Sequence, residues 1–145
     1  MDKVIVLDLG GTWLRVALVE DCKILKKMQV FTHSEKGKAQ VVAKISTLIK
    51  NVLEEDVGRI CIGASGFTDK EGKFIFSSNL PLLNINLKKV LEKKFKIEVC
   101  IENDAKCFTL AEAVLGAGKK YQRVLGITLG TGIGGGLVID KKISE

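Results

Sequence analysis

Several residue types are nearly missing from this chain, and each shortage removes a class of function. It has one histidine, one proline, one tryptophan and one tyrosine in 145 residues, and only three of its 23 basic residues are arginine. The lone His33 lies in a polar loop far from "GASGF", where Phe67 also replaces the closing glycine of a nucleophile elbow, so serine hydrolysis is excluded. The four cysteines, Cys22, Cys61, Cys100 and Cys107, form no CxxC pair, and with one histidine they cannot complete a zinc cluster. Three of them lie in or beside apolar runs and are expected to serve as small structural hydrophobes.

No window approaches the roughly 20 consecutive apolar residues of a membrane span, and "MDKVIVLDLGG" has no apolar signal region, so a cytoplasmic protein is expected. The net charge of +6 comes from lysines spread over helix faces and turns rather than from one block, and aromatics make up 6% of the chain. That pattern argues for mild attraction to anions such as nucleotides and against a nucleic-acid interface. There is no low-complexity linker and no internal repeat. With 46% hydrophobic residues, the chain is long enough to bury one ordinary core.

What is abundant is apolar periodicity and glycine. Val4–Leu9, Trp13–Val19 and Lys23–Phe31 read as a three-stranded antiparallel meander. Val41, Val42, Ile45, Leu48, Ile49, Val52 and Leu53 then recur at helical spacing. Arg59–Gly63 reads as a buried strand, "EGKFIFSSN" as a short hairpin arm, and Pro81 as a stop to regular structure. Leu87, Val90, Leu91 and Phe95 mark a second helix, Ile97–Ile101 a strand, and Ala105–Leu115 a third helix closed by Gly116 and Gly118. Arg123–Leu129 and Gly135–Ile139 are the last predicted strands. Helices and strands that alternate after an antiparallel start give an α/β class with a mixed sheet flanked by helices.

Two loops carry the candidate chemistry. In "VLDLGGTWLR", Asp8 ends a buried strand and precedes Gly10, Gly11 and Thr12. Glycines allow backbone N–H groups to approach an anion, Thr12 can donate a hydrogen bond, and Asp8 can hold a hydrated Mg²⁺. "LGTGIGGG" repeats the pattern with Gly130, Thr131 and Gly132. Gly130, Gly132 and Gly135 match a dinucleotide fingerprint, but the fingerprint needs a helix to follow and "GGGLVID" reads as strand. A plain hairpin turn would explain either loop alone.

Between the loops, Asn103 and Asp104 fall at a strand-to-helix junction. Asn and Asp there are the preferred helix caps, yet a carboxylate at a strand's C-terminal end can also accept a proton from a substrate hydroxyl. The glycines of "GASG" and the amide of Asn79 suit a small polar ligand. Jointly, two strand-Gly/Thr loops with a strand-end Asn-Asp between them favour phosphoryl transfer.

In "DLGGTWLR", "IENDAKCFTLAEAVLGAG" and "LGTGIGGGLVIDKKI", and in their order and spacing, the sequence resembles the ROK family of bacterial sugar kinases and repressors, within the sugar kinase and actin superfamily. The resemblance runs from Val4 to the end. It implies a ribonuclease H-like, actin-like fold of two lobes with nucleotide and hexose in the cleft between them. It implies ATP and Mg²⁺ as cofactors and a homodimer as the complete protein. On this resemblance Asp104 is the general base for the sugar's 6-hydroxyl and Asn103 holds a neighbouring hydroxyl. Asp8 orients Mg²⁺ and the phosphates; Gly10, Gly11, Thr12, Gly130, Thr131 and Gly132 cradle the phosphates; Gly66 and Asn79 face the sugar.

The chain departs from the family pattern at Ser65, where the family often has proline, at "NLPLLN", where Gly-Trp often follows the proline, and at Lys106, which replaces an asparagine. The family's Gly-Glu-x-Gly-His segment and its cysteine-rich zinc motif belong to a second half of similar length. Residues 1–118 are therefore expected to form the first lobe and 119–145 the opening hairpin of the second, in a chain inactive by itself. Two rivals follow from the same resemblance. One is a sugar-responsive DNA-binding regulator, whose winged helix would precede the first phosphate motif, where only Met1–Lys3 stand here. The other is a non-catalytic nucleotide- or sugar-binding module.

Overall fold

The computed structural model describes residues 3–130 and 132–144. The chain divides into two compact units, Met1–Ile101 and Glu102–Glu145.

The first unit is built on β1 (Lys3–Leu9), β2 (Trp13–Glu20), β3 (Lys23–Phe31), β4 (Val57–Ala64) and, as far as Ile101, β7 (Glu98–Asn103), which lie in the order β3-β2-β1-β4-β7. β1 pairs antiparallel with β2 and parallel with β4, so the sheet is mixed, as the meander followed by helix–strand alternation predicts. Strand periodicity sends Ile5, Leu7 and Leu9, Leu14, Val16 and Leu18, and Ile60, Ile62 and Ala64 to one face. Helices α1 (Lys38–Val52) and α2 (Leu87–Phe95) supply Val41, Ile45, Ile49, Leu87 and Leu91 to the same core. Each such aliphatic side chain contributes about 1.5–3 kcal/mol when fully buried. Phe74, on the short strand β6 (Phe74–Phe76) that pairs with β5 (Phe67–Thr68), is fully buried with them, as is Leu82 just after Pro81.

The second unit holds α3 (Asp104–Val114), β8 (Arg123–Leu129), β9 (Ile133–Ile139) and β10 (Lys142–Ile143). Its register pairs Val124 with Val138, Gly126 with Gly136 and Thr128 with Gly134 on one face, and Leu125 with Leu137 and Leu129 with Ile133 on the other. The glycine face receives α3. A Cβ at Gly126 would stand 2.1 Å from Thr109 Oγ1, and one at Gly136 2.8 Å from the Cα of Lys106. Two of the five glycines in "GTGIGGG", Gly134 and Gly136, thus stand against α3. The contact units divide after Ile101, whereas the lobe boundary expected from sequence falls after Gly118; α3 groups with the hairpin because these glycines let it approach.

The cysteines correct one expectation. None is buried: Cys22 and Cys100 are exposed, and Cys61 and Cys107 are intermediate. The apolar runs beside them alternate in and out, and the cysteines of β4 and β7 fall on the outer phase.

Candidate phosphate and sugar site

The first loop joins β1 to β2 and is a hairpin, closed by the Gly10 N–H donating to the Trp13 carbonyl at 3.0 Å. Its carbonyls are all engaged by the segment after β3. Thr32 Oγ1 donates to the Gly10 carbonyl at 2.7 Å, Ser34 Oγ to that of Gly11 at 3.1 Å, and the Thr32 N–H to that of Thr12 at 2.8 Å. Among the described residues, no acceptor within the chain takes the N–H of Gly11 or Thr12. The loop therefore turns its acceptors inward and leaves two donors and the Thr12 hydroxyl for an anion, the arrangement of a phosphate-binding nest. Thr32, only 1% exposed, and Ser34 were not singled out in the sequence. Their signal was a pair of hydroxyl residues directly after an exposed strand.

Asp8 lies two residues before this loop. Its side chain is half exposed, and Arg15, its cross-strand neighbour, donates from Nη1 to Asp8 Oδ2 at 2.6 Å. Between two exposed groups such a pair is worth at most about 1 kcal/mol, so the carboxylate can exchange this partner for another cation. Among the described residues there is no cluster of three or more metal-ligating side chains. One carboxylate beside a phosphate nest fits Mg²⁺, which keeps several waters and binds through one or two carboxylates plus substrate phosphates.

The residues expected at the sugar lie in two places. Asn79 packs onto the first loop: a Cβ on Gly11 would be 2.6 Å from Asn79 Cβ and 2.9 Å from its carbonyl oxygen. Gly66 sits in the turn between β4 and β5 at φ 145°, where a Cβ would be 2.6 Å from the Phe76 carbonyl. This turn is tied to the first loop by the Ser65 N–H donating to the Leu9 carbonyl at 3.0 Å, and to the segment before Asn79 by Ser77 Oγ donating to the Ser65 carbonyl at 2.9 Å. Gly11, Gly66 and Asn79 are thereby brought together within the first unit.

Asn103 and Asp104 belong to the second unit. Asn103 caps α3, its Oδ1 accepting from the N–H groups of Ala105 at 3.1 Å and Lys106 at 3.2 Å. Asp104 opens the helix and accepts from the Ala105 N–H at 2.8 Å through Oδ1. The cap weighed in the sequence is present at Asn103, and Asp104 follows it as the first residue of the helix.

At the second loop the Gly130 N–H donates to the Gly132 carbonyl at 3.0 Å, and a Cβ on either glycine would meet nothing within 4 Å. Thr131 lies outside the described residues. Gly135 is inside β9, so no helix follows the loop and the dinucleotide fingerprint has no structural counterpart.

Comparison with known proteins gives a consistent result. The model of the ROK family matches residues 4–145. The chain is 43% identical over 140 residues to a glucokinase of Thermotoga maritima, covering 94% of this chain and 44% of that one. It is 36% identical over 140 residues to an N-acetylgalactosamine kinase of a Shewanella species, covering 94% and 45%. Among solved structures, a ROK family glucokinase from Streptomyces griseus in complex with glucose and AMPPNP superposes with a TM-score of 0.88 at 32% identity, over 98% of this chain and 46% of that one. The chain thus spans about half the length of the relatives it matches.

Proposed function

This chain belongs to the ROK family, and we propose that it carries the first phosphate loop and the general base of an ATP-dependent hexose kinase of glucokinase type that phosphorylates the 6-hydroxyl. The observation that carries this reading is the first loop. Three backbone carbonyls are tied inward by Thr32 and Ser34, and the N–H groups beside Asp8 are left for an anion. Two relatives that bear sugar-kinase names, and a structure described with glucose and AMPPNP, supply the substrate class.

In this mechanism Asp104 takes the proton from the sugar's 6-hydroxyl as its oxygen attacks the γ-phosphorus of ATP, and Asn103, Asn79 and the Gly66 turn orient the sugar. The N–H groups of Gly11 and Thr12, and the second loop at Gly130, Thr131 and Gly132, hold the phosphates. Asp8, together with the phosphates, would hold Mg²⁺, and the ion would supply charge neutralisation on the transferring group. Little covalent work falls to the protein, so catalysis rests on positioning and charge. The two-lobed organisation with its division after Gly118, the homodimer and the cytoplasmic setting belong to this proposal; no described helix is long and apolar enough to cross a membrane.

Asp104→Asn in the whole protein tests it. Sugar-dependent ADP formation is expected to fall by several orders of magnitude while nucleotide affinity and the unfolding midpoint stay put. Turnover within about tenfold of the parent would sink the role of Asp104.

A further inference from the structure

Two phenyl rings stand in the open beside the Gly66 turn. Phe67 on β5 and Phe76 on β6 are direct cross-strand partners, their ring centroids 6.2 Å apart and their planes inclined at 37°. Phe67 is 49% exposed and Phe76 55%. Apolar residues scattered singly over a surface are ordinary, but two large rings in contact leave in water a joined apolar area that folding would usually cover.

The ribbon that carries them is well anchored. Phe74, two residues before Phe76, is fully buried; its N–H donates to the Ile85 carbonyl and its carbonyl accepts from the Asn84 N–H, both at 2.9 Å. At the far end Asp69 Oδ1 accepts from the N–H groups of Glu71 and Lys73, each at 2.9 Å. The pairing register shifts between Phe67 and Thr68, and a bulge of this kind re-aims the side chains beside it. The rings are therefore exposed on a fixed support.

Their neighbours are the residues that orient the sugar in the proposed mechanism. Phe67 follows Gly66 directly, and a Cβ on Gly66 would be 2.6 Å from the Phe76 carbonyl oxygen and 3.1 Å from Ser77 Cβ. Ser77 Oγ donates to the Ser65 carbonyl at 2.9 Å and accepts from the Leu80 N–H at 3.1 Å, which fixes the segment that carries Asn79. Residues 63–68 and 74–86 contain no charged side chain. A neutral pyranose has the matching form, with hydroxyls around its rim and C–H groups on its faces. The electron-rich face of a phenyl ring attracts such polarised C–H groups, while amide and backbone groups take the hydroxyls. Resting on the sugar-kinase reading above, we propose that Phe67 and Phe76 form an aromatic platform that positions a neutral hexopyranose through its C–H face.

The test uses the whole protein with glucose as the probe. Phe67→Ala and Phe76→Ala are each expected to raise the glucose KM about tenfold or more, with kcat and the ATP KM within about threefold of the parent. Phe67→Tyr and Phe76→Tyr keep the ring and should keep the parental KM. Phe67→Leu and Phe76→Leu keep apolar bulk without a ring and should behave like the alanine variants. Leucine variants that restore KM, or alanine variants with the parental KM, overturn the platform and leave the kinase reading standing. Saturation-transfer NMR supplies a readout that needs no turnover: irradiating the aromatic protons of the parent should saturate the ring C–H protons of glucose, and the double alanine variant should lose that transfer. Transfer that persists in the double variant, or is absent from the parent, overturns the platform even if glucose is phosphorylated. Transfer that depends on the two rings in a protein that does not turn glucose over would keep the platform and strike the kinase reading instead.

Discussion

The two glycine loops use nearly the same residues and are held in different ways. At the first, Gly11 is pressed against Asn79, and every carbonyl from Gly10 to Thr12 has a donor from the segment 32–34. At the second, Gly130 and Gly132 face open space, and the glycines that packing requires lie further into the hairpin, at 126, 134 and 136. The first motif is therefore braced by its own unit at three carbonyls, whereas the packing described at the second falls on its stem. A phosphate nest works only when its donors are already aimed, so under the proposed function the first loop would bind an anion at little ordering cost.

The largest effect that separates them should come from adding a methyl group. Gly11→Ala places a Cβ within 2.6 Å of Asn79 Cβ and 2.9 Å of a backbone oxygen, so the loop or the Asn79 segment must shift. A loss of about 1–3 kcal/mol in urea unfolding is expected, together with loss of triphosphate binding. Gly130→Ala meets nothing within 4 Å and should change stability by less than about 1 kcal/mol. Equal losses at the two positions would erase the contrast.

Next in size is the hydroxyl under the first loop. Thr32→Val leaves the Gly10 carbonyl without its buried donor and is expected to cost about 1–3 kcal/mol. Thr32→Ser restores the bond and should recover most of that loss. Amide exchange at Gly11 and Thr12 should accelerate in the valine variant and leave Gly130 unchanged; if Gly130 moves equally, the support of the first loop is not local.

The outer face of the second hairpin offers a third comparison. Leu129 is 80% exposed and Ile133 82%, and Leu125 and Ile127 stand uncovered beside them. A contiguous apolar sheet face of this kind drives association. The chain is expected to self-associate as its concentration rises, and Ile127→Lys with Leu129→Lys should return it to a monomer in sedimentation velocity. The same two changes on a chain that is already monomeric would show that the face is inert.

How much of this was legible follows from the same contrast. The strands β1, β2 and β8 and the helices α1, α2 and α3 were readable because their apolar residues recur with the period of the element, and the Gly10–Thr12 loop because Asp8, two glycines and a threonine end a buried strand. The brace from Thr32 and Ser34 was not readable: it joins positions about twenty residues apart through backbone carbonyls, which leave no side-chain pattern at the loop. The packing role of the glycines at 126, 134 and 136 was not readable, since close packing against a helix and close approach to a phosphate ask for the same missing Cβ. The cysteines misled because an apolar run looks equally buried on both phases until the sheet shows which face is covered.

The smallest expected effect concerns the ends of the two sheets away from the loops. Near the start of β1, Glu54 accepts from Lys26 at 2.5 Å and from Lys3 at 2.7 Å, with Asp56 a further 3.1 Å partner of Lys3. The hydrogen bonds from Lys26 and then Lys3 lower the Glu54 carboxyl from its ordinary 4.5 to about 2. A carboxyl depressed in the folded state stabilises fully above the unfolded value, and that contribution is lost as pH falls from about 4.5 through about 2. In the second unit the corresponding clamp is the Lys141 ammonium, which donates to the carbonyls of Ala113, Lys119 and Tyr121 at 2.7, 2.7 and 3.1 Å. No carboxylate takes part in those bonds, so acid should leave them intact. Acidification from pH 5 to pH 2 should therefore loosen the β1–β3 end in hydrogen exchange more than the β9–β10 end. Glu54→Gln should remove the difference by weakening the first unit at pH 5, and a variant whose acid profile still matches the parent would assign the loosening to other carboxylates.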